Sequence, residues 1–127
     1  VIPGDWDRVR ELGAQHATDA ALPVTDDLRE LLIRVAPQVA ISTADAQQAL
    51  AAPTTAAALL REVAQRIRDG SRRLSRALVA SAKLKDAGDF AGARKVLEEV
   101  AAVEVVPLYL EQVQAALDYV DEPEDDA

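Results

Sequence analysis

The sequence predicts an all-α fold, a helical bundle built on a long antiparallel hairpin, and three observations carry that prediction. From Thr55 to about Ala87, apolar residues recur at alternating steps of three and four, with Leu60, Val63, Ile67, Leu74, Ala77 and Leu84 on one face. From Phe90 to about Val120 the same rhythm resumes through Ala93, Val96, Val100, Val103, Leu110, Val113 and Leu117. Alanine and leucine dominate the apolar residues, whereas the aromatic residues are one Trp, two Tyr and one Phe. Alanine is the best helix former, and strands want the β-branched and aromatic side chains that are scarce here.

A chain of 127 residues suits one domain with one core, here expected over residues 1–120. Asp5 stands where it can cap a first helix of about a dozen residues that contains Trp6, Val9, Leu12 and His16. Thr25, followed by Asp26 and Asp27, marks the start of a second helix, because acids in a first turn complement the helix dipole. That helix buries Leu28, Leu31, Leu32 and Val35, and Pro37 ends or kinks it near Ala36 by removing a hydrogen bond and crowding the preceding turn. Ser42 caps a short connecting helix, with Asp45 in the capping-box position, and Pro53 closes it. Thr54 or Thr55 then caps the long helix.

Gly70 and Ser71 could split this long helix, but the heptad phase passes through them undisturbed, which favours continuity. Gly88 supplies the left-handed residue that ends it, and Asp89 caps the return helix. A fold-back there sets Leu60 against Leu117, Ile67 against Leu110, Leu74 against Val103, Ala77 against Val100 and Leu84 against Ala93. It also sets Gly70 opposite Pro107, the residue that interrupts the return helix, and predicts interhelical ion pairs of Arg66 with Glu111 and Arg73 with Glu104. The last residues, 121–127, are acidic and too poor in apolar side chains to pack, and are expected to be a disordered tail.

The chain carries a net charge of -8, which disfavours nucleic-acid and anionic-membrane binding. Residues 61 to 85 nevertheless hold eight basic side chains against Glu62 and Asp69. With Arg66 and Arg73 assigned to structure, Arg61, Arg68, Arg72, Arg76 and Lys83 remain as a stripe on the outer face. Such a stripe is either a solvated helix surface or a contact for an acidic protein partner, whose carboxylates arginine forks hold in pairs. The absence of cysteine excludes thiolate metal sites and cysteine nucleophiles and suits a cytoplasmic chain. No apolar run approaches the length needed to span a bilayer, so no membrane role is expected.

No catalytic constellation is present. His16 is the single histidine, read as a helix-packing residue, and no Gly-x-Ser-x-Gly elbow accompanies it. Walker and dinucleotide loops, a His-Glu-x-x-His pair and a calcium loop are also missing. Glu98 and Glu99 diverge around a helix, and no cofactor is expected.

Trp6, Val39-Ala40-Ile41-Ser42 with Asp45-Ala46 and Ala49-Leu50, and the run from Arg66 through Gly70 to Leu74 together resemble the DUSAM domain. Gly88-Asp89, Gly92-Ala93-Arg94 and Ala102 through Tyr109 extend the likeness over most of the chain except the acidic end. The resemblance implies a myxobacterial source group and brings no activity with it. Leu32, Arg34, Ala36, Val39, Asp45-Ala46 and Leu50 are also similar to the core-binding and promoter-melting region of extracytoplasmic-function sigma factors. Gln47-Gln48-Ala49 departs from that pattern, and its melting aromatics are missing. Leu84, Gly88, Asp89 and Ala93 are similar to the turn of a tetratricopeptide unit, but no second copy follows.

The function expected on these grounds is non-enzymatic protein interaction, regulatory in character. The alternatives are nucleic-acid or transcription-machinery binding through the sigma-like segment and the arginine stripe, and an acidic immunity or antitoxin protein. A homodimer is open as well, since the exposed side of an alanine-rich hairpin can pair with a copy of itself.

Overall fold

The computed structural model describes residues 2–121, in which every regular element is helical. The order is α1 (Asp5–Gln15), α2 (Asp26–Val35), a 3-10 turn (Ala36–Val39), α3 (Thr43–Ala49), α4 (Pro53–Asp86), α5 (Phe90–Val103) and α6 (Pro107–Asp121). The fold is therefore all-α, as the periodicity predicts. The chain divides into two compact units, Val1–Asp69 and Gly70–Ala127, and α4 contributes its first half to one and its second half to the other. Of the acidic end, Asp121 is the last residue of α6, and the rest lies outside the described residues.

In the first unit, local signals place most boundaries. Thr25 Oγ1 accepts from the Leu28 N–H at 3.2 Å, and Ser42 Oγ from the Asp45 N–H at 3.1 Å, so both capping expectations are met. At Pro37 the chain tightens into the 3-10 turn, which closes on Ala40 with φ 66°, a left-handed alanine. Two expectations need correction. The cap of α1 is Gly4, and Asp5 lies inside the helix, buried, where it accepts from Arg34 Nε at 3.1 Å and Nη2 at 3.2 Å. That hydrogen bond pushes the Arg34 pKa up against the opposing effect of desolvation. Pro53 opens α4 rather than closing α3, because a proline in the first turn sacrifices no helical hydrogen bond. Thr55 accordingly donates back to the carbonyls of Ala49 and Ala52 instead of capping.

Burial completes this unit. Leu32 and Val35 of α2 and Leu60, Val63 and Ile67 of α4 lose all contact with solvent, each contributing about 1.5–3 kcal/mol of hydrophobic stabilisation. Trp6 bridges α1 to the 3-10 turn through a hydrogen bond from its Nε1 to Gln38. The Leu22 N–H reaches the Pro53 carbonyl at 3.0 Å and ties the connection after α1 to the start of α4.

In the second unit, α4 runs unbroken through Gly70, ends at the left-handed Gly88 (φ 83°), and is closed by the Asp89 N–H on the Leu84 carbonyl at 2.8 Å. Asp89 then caps α5 through the Gly92 N–H at 2.8 Å. The return continues only to Val103. Glu104 is extended (φ -70°, ψ 135°), and after Val106 the chain reverses into α6. Ser81 Oγ donates to the Ala93 carbonyl at 3.1 Å and Lys85 Nζ to the Tyr119 carbonyl at 2.9 Å, while Arg94 pairs with Asp121. These contacts place both α5 and α6 beside the second half of α4, with α6 antiparallel to α5 and parallel to α4. The unit is a three-helix up-down-up bundle, not one arm of a long hairpin.

The reversal decides which predicted partners meet. Before the bend the fold-back register holds: Arg73 Nη2 lies 3.3 Å from Glu104 Oε1. Beyond the bend α6 runs parallel to the second half of α4, and the register does not continue. Glu111 is exposed, and Arg66 is held elsewhere, by Glu62 and the Val39 carbonyl. Val103, expected against Leu74, is 60 % exposed, and Leu97 takes the buried place on α5. The nearest groups to Gly70 are Tyr109 and Glu104, on either side of Pro107. A Cβ on Gly70 would stand 2.6 Å from the Tyr109 ring and 2.9 Å from the Glu104 carboxylate.

The Glu104 side chain has no solvent exposure. Its Oε1 takes Arg73, and its Oε2 accepts the N–H groups of Val105 at 2.9 Å and Val106 at 3.0 Å. Glu104→Ala removes all three bonds, with an expected loss of about 3 kcal/mol in urea unfolding, while Glu104→Gln keeps an acceptor and loses about 1 kcal/mol. Gly70→Ala sets two terms against each other: a helix-propensity gain of about 1 kcal/mol and an overpacking cost of about 1–3 kcal/mol against the Tyr109 ring. The expected outcome is a lower unfolding midpoint for Gly70→Ala, and a smaller effect of the same change in a Tyr109→Ala background.

Candidate functional site

The basic side chains of α4 separate into those that hold the fold and those that face outward. Arg66 donates from Nε to Glu62 at 2.8 Å and from Nη1 to the Val39 carbonyl at 2.8 Å, so it satisfies the end of the 3-10 turn. Arg73 is bound to Glu104. Lys85 is buried, donates to the Tyr119 carbonyl near the end of α6, and lies 3.5 Å from the centroid of the Tyr119 ring. Sequence reasoning did not single out Lys85, although a basic residue in the last turn of a helix is a recognised partner for carbonyl ends.

The five residues of the outer stripe fall in both units. Arg72, Arg76 and Lys83 belong to the second, are exposed, and form no ion pair with any described residue. Arg61 and Arg68 belong to the first. Arg61 is half-buried and donates from Nη1 to the Asp19 carbonyl at 2.6 Å, while Arg68 lies exposed with its Nε 3.6 Å from Asp69.

Arg61 and Arg68 border a cleft of about 370 Å³ between α1 and the first half of α4. Its floor is made of Gly13, Ala14, Ala17 and Ala64. Gly13 allows that floor to form, because a Cβ on it would stand 2.7 Å from the Ala64 Cβ. Arg10 and Gln65 complete the rim. Arg10, which also contacts Asp7, went unnoticed in the sequence because it lies on a different helix from the stripe. A one-helix period cannot report a neighbour on another helix; the small residues of α1 were the available signal.

Two further depressions carry a single cation each, Arg8 in one and Lys85 in the other, where the cleft has three arginines. One, of about 340 Å³, lies over Leu12, Leu22, Leu28 and Leu31 beside His16. His16 is not a packing residue within α1 but its C-cap, with Nδ1 2.6 Å from Asp19 Oδ2. The other, of about 220 Å³, lies in the second unit among Leu78, Ala82, Ala116 and Val120, next to Lys85 and Tyr119. Among the described residues no group of three or more His, Cys, Asp or Glu could hold a metal ion, and no helix is long and apolar enough to cross a membrane.

Comparison with curated proteins and with solved structures gives no match. One family model aligns with residues 4–120, spanning all six helices but for the last residue of α6. That extent shows the chain to be a member of the family described as protein of unknown function, DUF2379.

Proposed function

We propose that the protein is a non-enzymatic, regulatory interaction module that binds an acidic segment of another protein through outward-facing cations of α4, foremost Arg72, Arg76 and Lys83. The observation that carries this reading is an economy of charge. In a chain with 22 acidic and 14 basic residues, these three cations are exposed and form no ion pair with any described residue. Acids are abundant enough to have neutralised them, whereas Arg66 and Arg73 on the same helix are paired. Arginine offers five donors in a planar fork that matches carboxylates, which favours a protein partner over a nucleic acid repelled by the surrounding acids. A cytoplasmic setting and the myxobacterial source implied by the DUSAM likeness belong to the same proposal.

Cross-linking of the full chain in a lysate of its source, followed by titration of the purified partner, tests it. Replacing Arg72, Arg76 and Lys83 with Glu is expected to weaken binding about tenfold or more and to leave the unfolding midpoint unchanged, since the three hold no ion pair among the described residues while their reversed charges repel an acidic partner. Affinity for the unaltered chain should also fall as salt is raised. Binding indifferent to the triple replacement would remove this face from the function.

A further inference from the structure

The cleft of the first unit has a geometry that the exposed cations of the second lack. Its floor of Gly13, Ala14, Ala17 and Ala64 carries nothing larger than a methyl group, so the backbone of another element can approach closely. Along α4, Arg61 and Arg68 stand one heptad apart, about 10 Å of helical rise, with Gln65 between them, and Arg10 faces them from α1. Each guanidinium already has one oxygen neighbour: Asp7 for Arg10, the Asp19 carbonyl for Arg61 and Asp69 for Arg68. Donors remain on each fork.

We infer that this cleft receives an acidic α-helix of a partner protein, with small residues against the floor and two carboxylates a heptad apart on Arg61 and Arg68. Arg10 takes a carboxylate on the opposite edge of the same helix. The class of partner rests on the function proposed above; the site does not, since Arg72, Arg76 and Lys83 take no part in it. Charge complementarity selects the occupant. Asp7 and Asp69 hold the local positive charge down, so a doubly charged phosphate meets two carboxylates along with the arginines, whereas single carboxylates spread along a helix meet one arginine each. The methyl groups of the floor add apolar burial that a free phosphate cannot use.

The test uses the full chain and a labelled three-heptad alanine-based peptide with Glu at every seventh position along one edge and one further Glu on the opposite edge, read by fluorescence anisotropy. A sibling peptide carries Gln in place of Glu. The Glu peptide is expected to bind at least about tenfold more tightly, and Arg68→Glu or Arg10→Glu to weaken it by about three- to tenfold each. Ala14→Leu fills the cleft from an exposed position, and should abolish binding while circular dichroism and the unfolding midpoint stay unchanged. Equal binding of the two peptides, or binding unaffected by Ala14→Leu, overturns the inference. So does displacement of the peptide by millimolar inorganic phosphate at matched ionic strength, which would mark an anion site. Peptide binding lost only on replacing Arg72, Arg76 and Lys83 overturns the cleft and leaves the interaction module standing.

Discussion

The second unit depends on one buried carboxylate. Glu104 has no exposed side-chain surface, and an unpaired charge in that position would be strongly destabilising. Its oxygens divide the task. One takes Arg73 from α4, and the other takes the N–H groups of Val105 and Val106, at a turn where Pro107 has no N–H to offer. The same group therefore ends α5, orients the first turn of α6 and fixes both against α4. The contacts of Lys85 with Tyr119 and of Arg94 with Asp121 exist only because α6 leaves that turn in the reverse direction.

Much of the helix plan was legible because its determinants are local. Thr25, Ser42 and Asp89 cap through bonds to N–H groups three residues on, and Gly88 adopts the left-handed conformation that closes α4. Continuity through Gly70 was legible from the unbroken heptad phase. The sense of the bend at Pro107 was not. A proline reports a missing hydrogen bond and leaves open whether the chain kinks onward or turns back. Both outcomes preserve the apolar rhythm, since α5 and α6 each present one face to α4 in either case. The fold-back register consequently succeeds for Arg73 with Glu104, ahead of the bend, and does not extend into α6. Asp5 fails for a related reason: local rules make it a cap, while Arg34, distant in sequence, claims its carboxylate.

The basic character of α4 in an acidic chain has a partly structural origin. Arg66 and Lys85 both donate to backbone carbonyls where another helical element ends, at Val39 and at Tyr119. Carbonyl ends carry the negative pole of a helix, so a helix that receives such ends is favoured to bear cations there. A charge count along α4 cannot separate these residues from Arg72, Arg76 and Lys83. The separation needs the position of elements that sequence periodicity leaves unassigned.

The candidate cleft was half legible for a different physical reason. Arg61 and Arg68 stood out as part of a stripe, but Arg10 joins them only through the packing of α1 on α4. The alanines that line the floor looked like helix-forming composition, and they are that. Where two helices approach as closely as Gly13 and Ala64, the same small side chains also leave a space that no internal residue fills. A composition that makes helices easy to form thus leaves concave surface between them. Three arginines at the edge of that surface distinguish this cleft from the other depressions described, where Arg8 lines one and Lys85 the other.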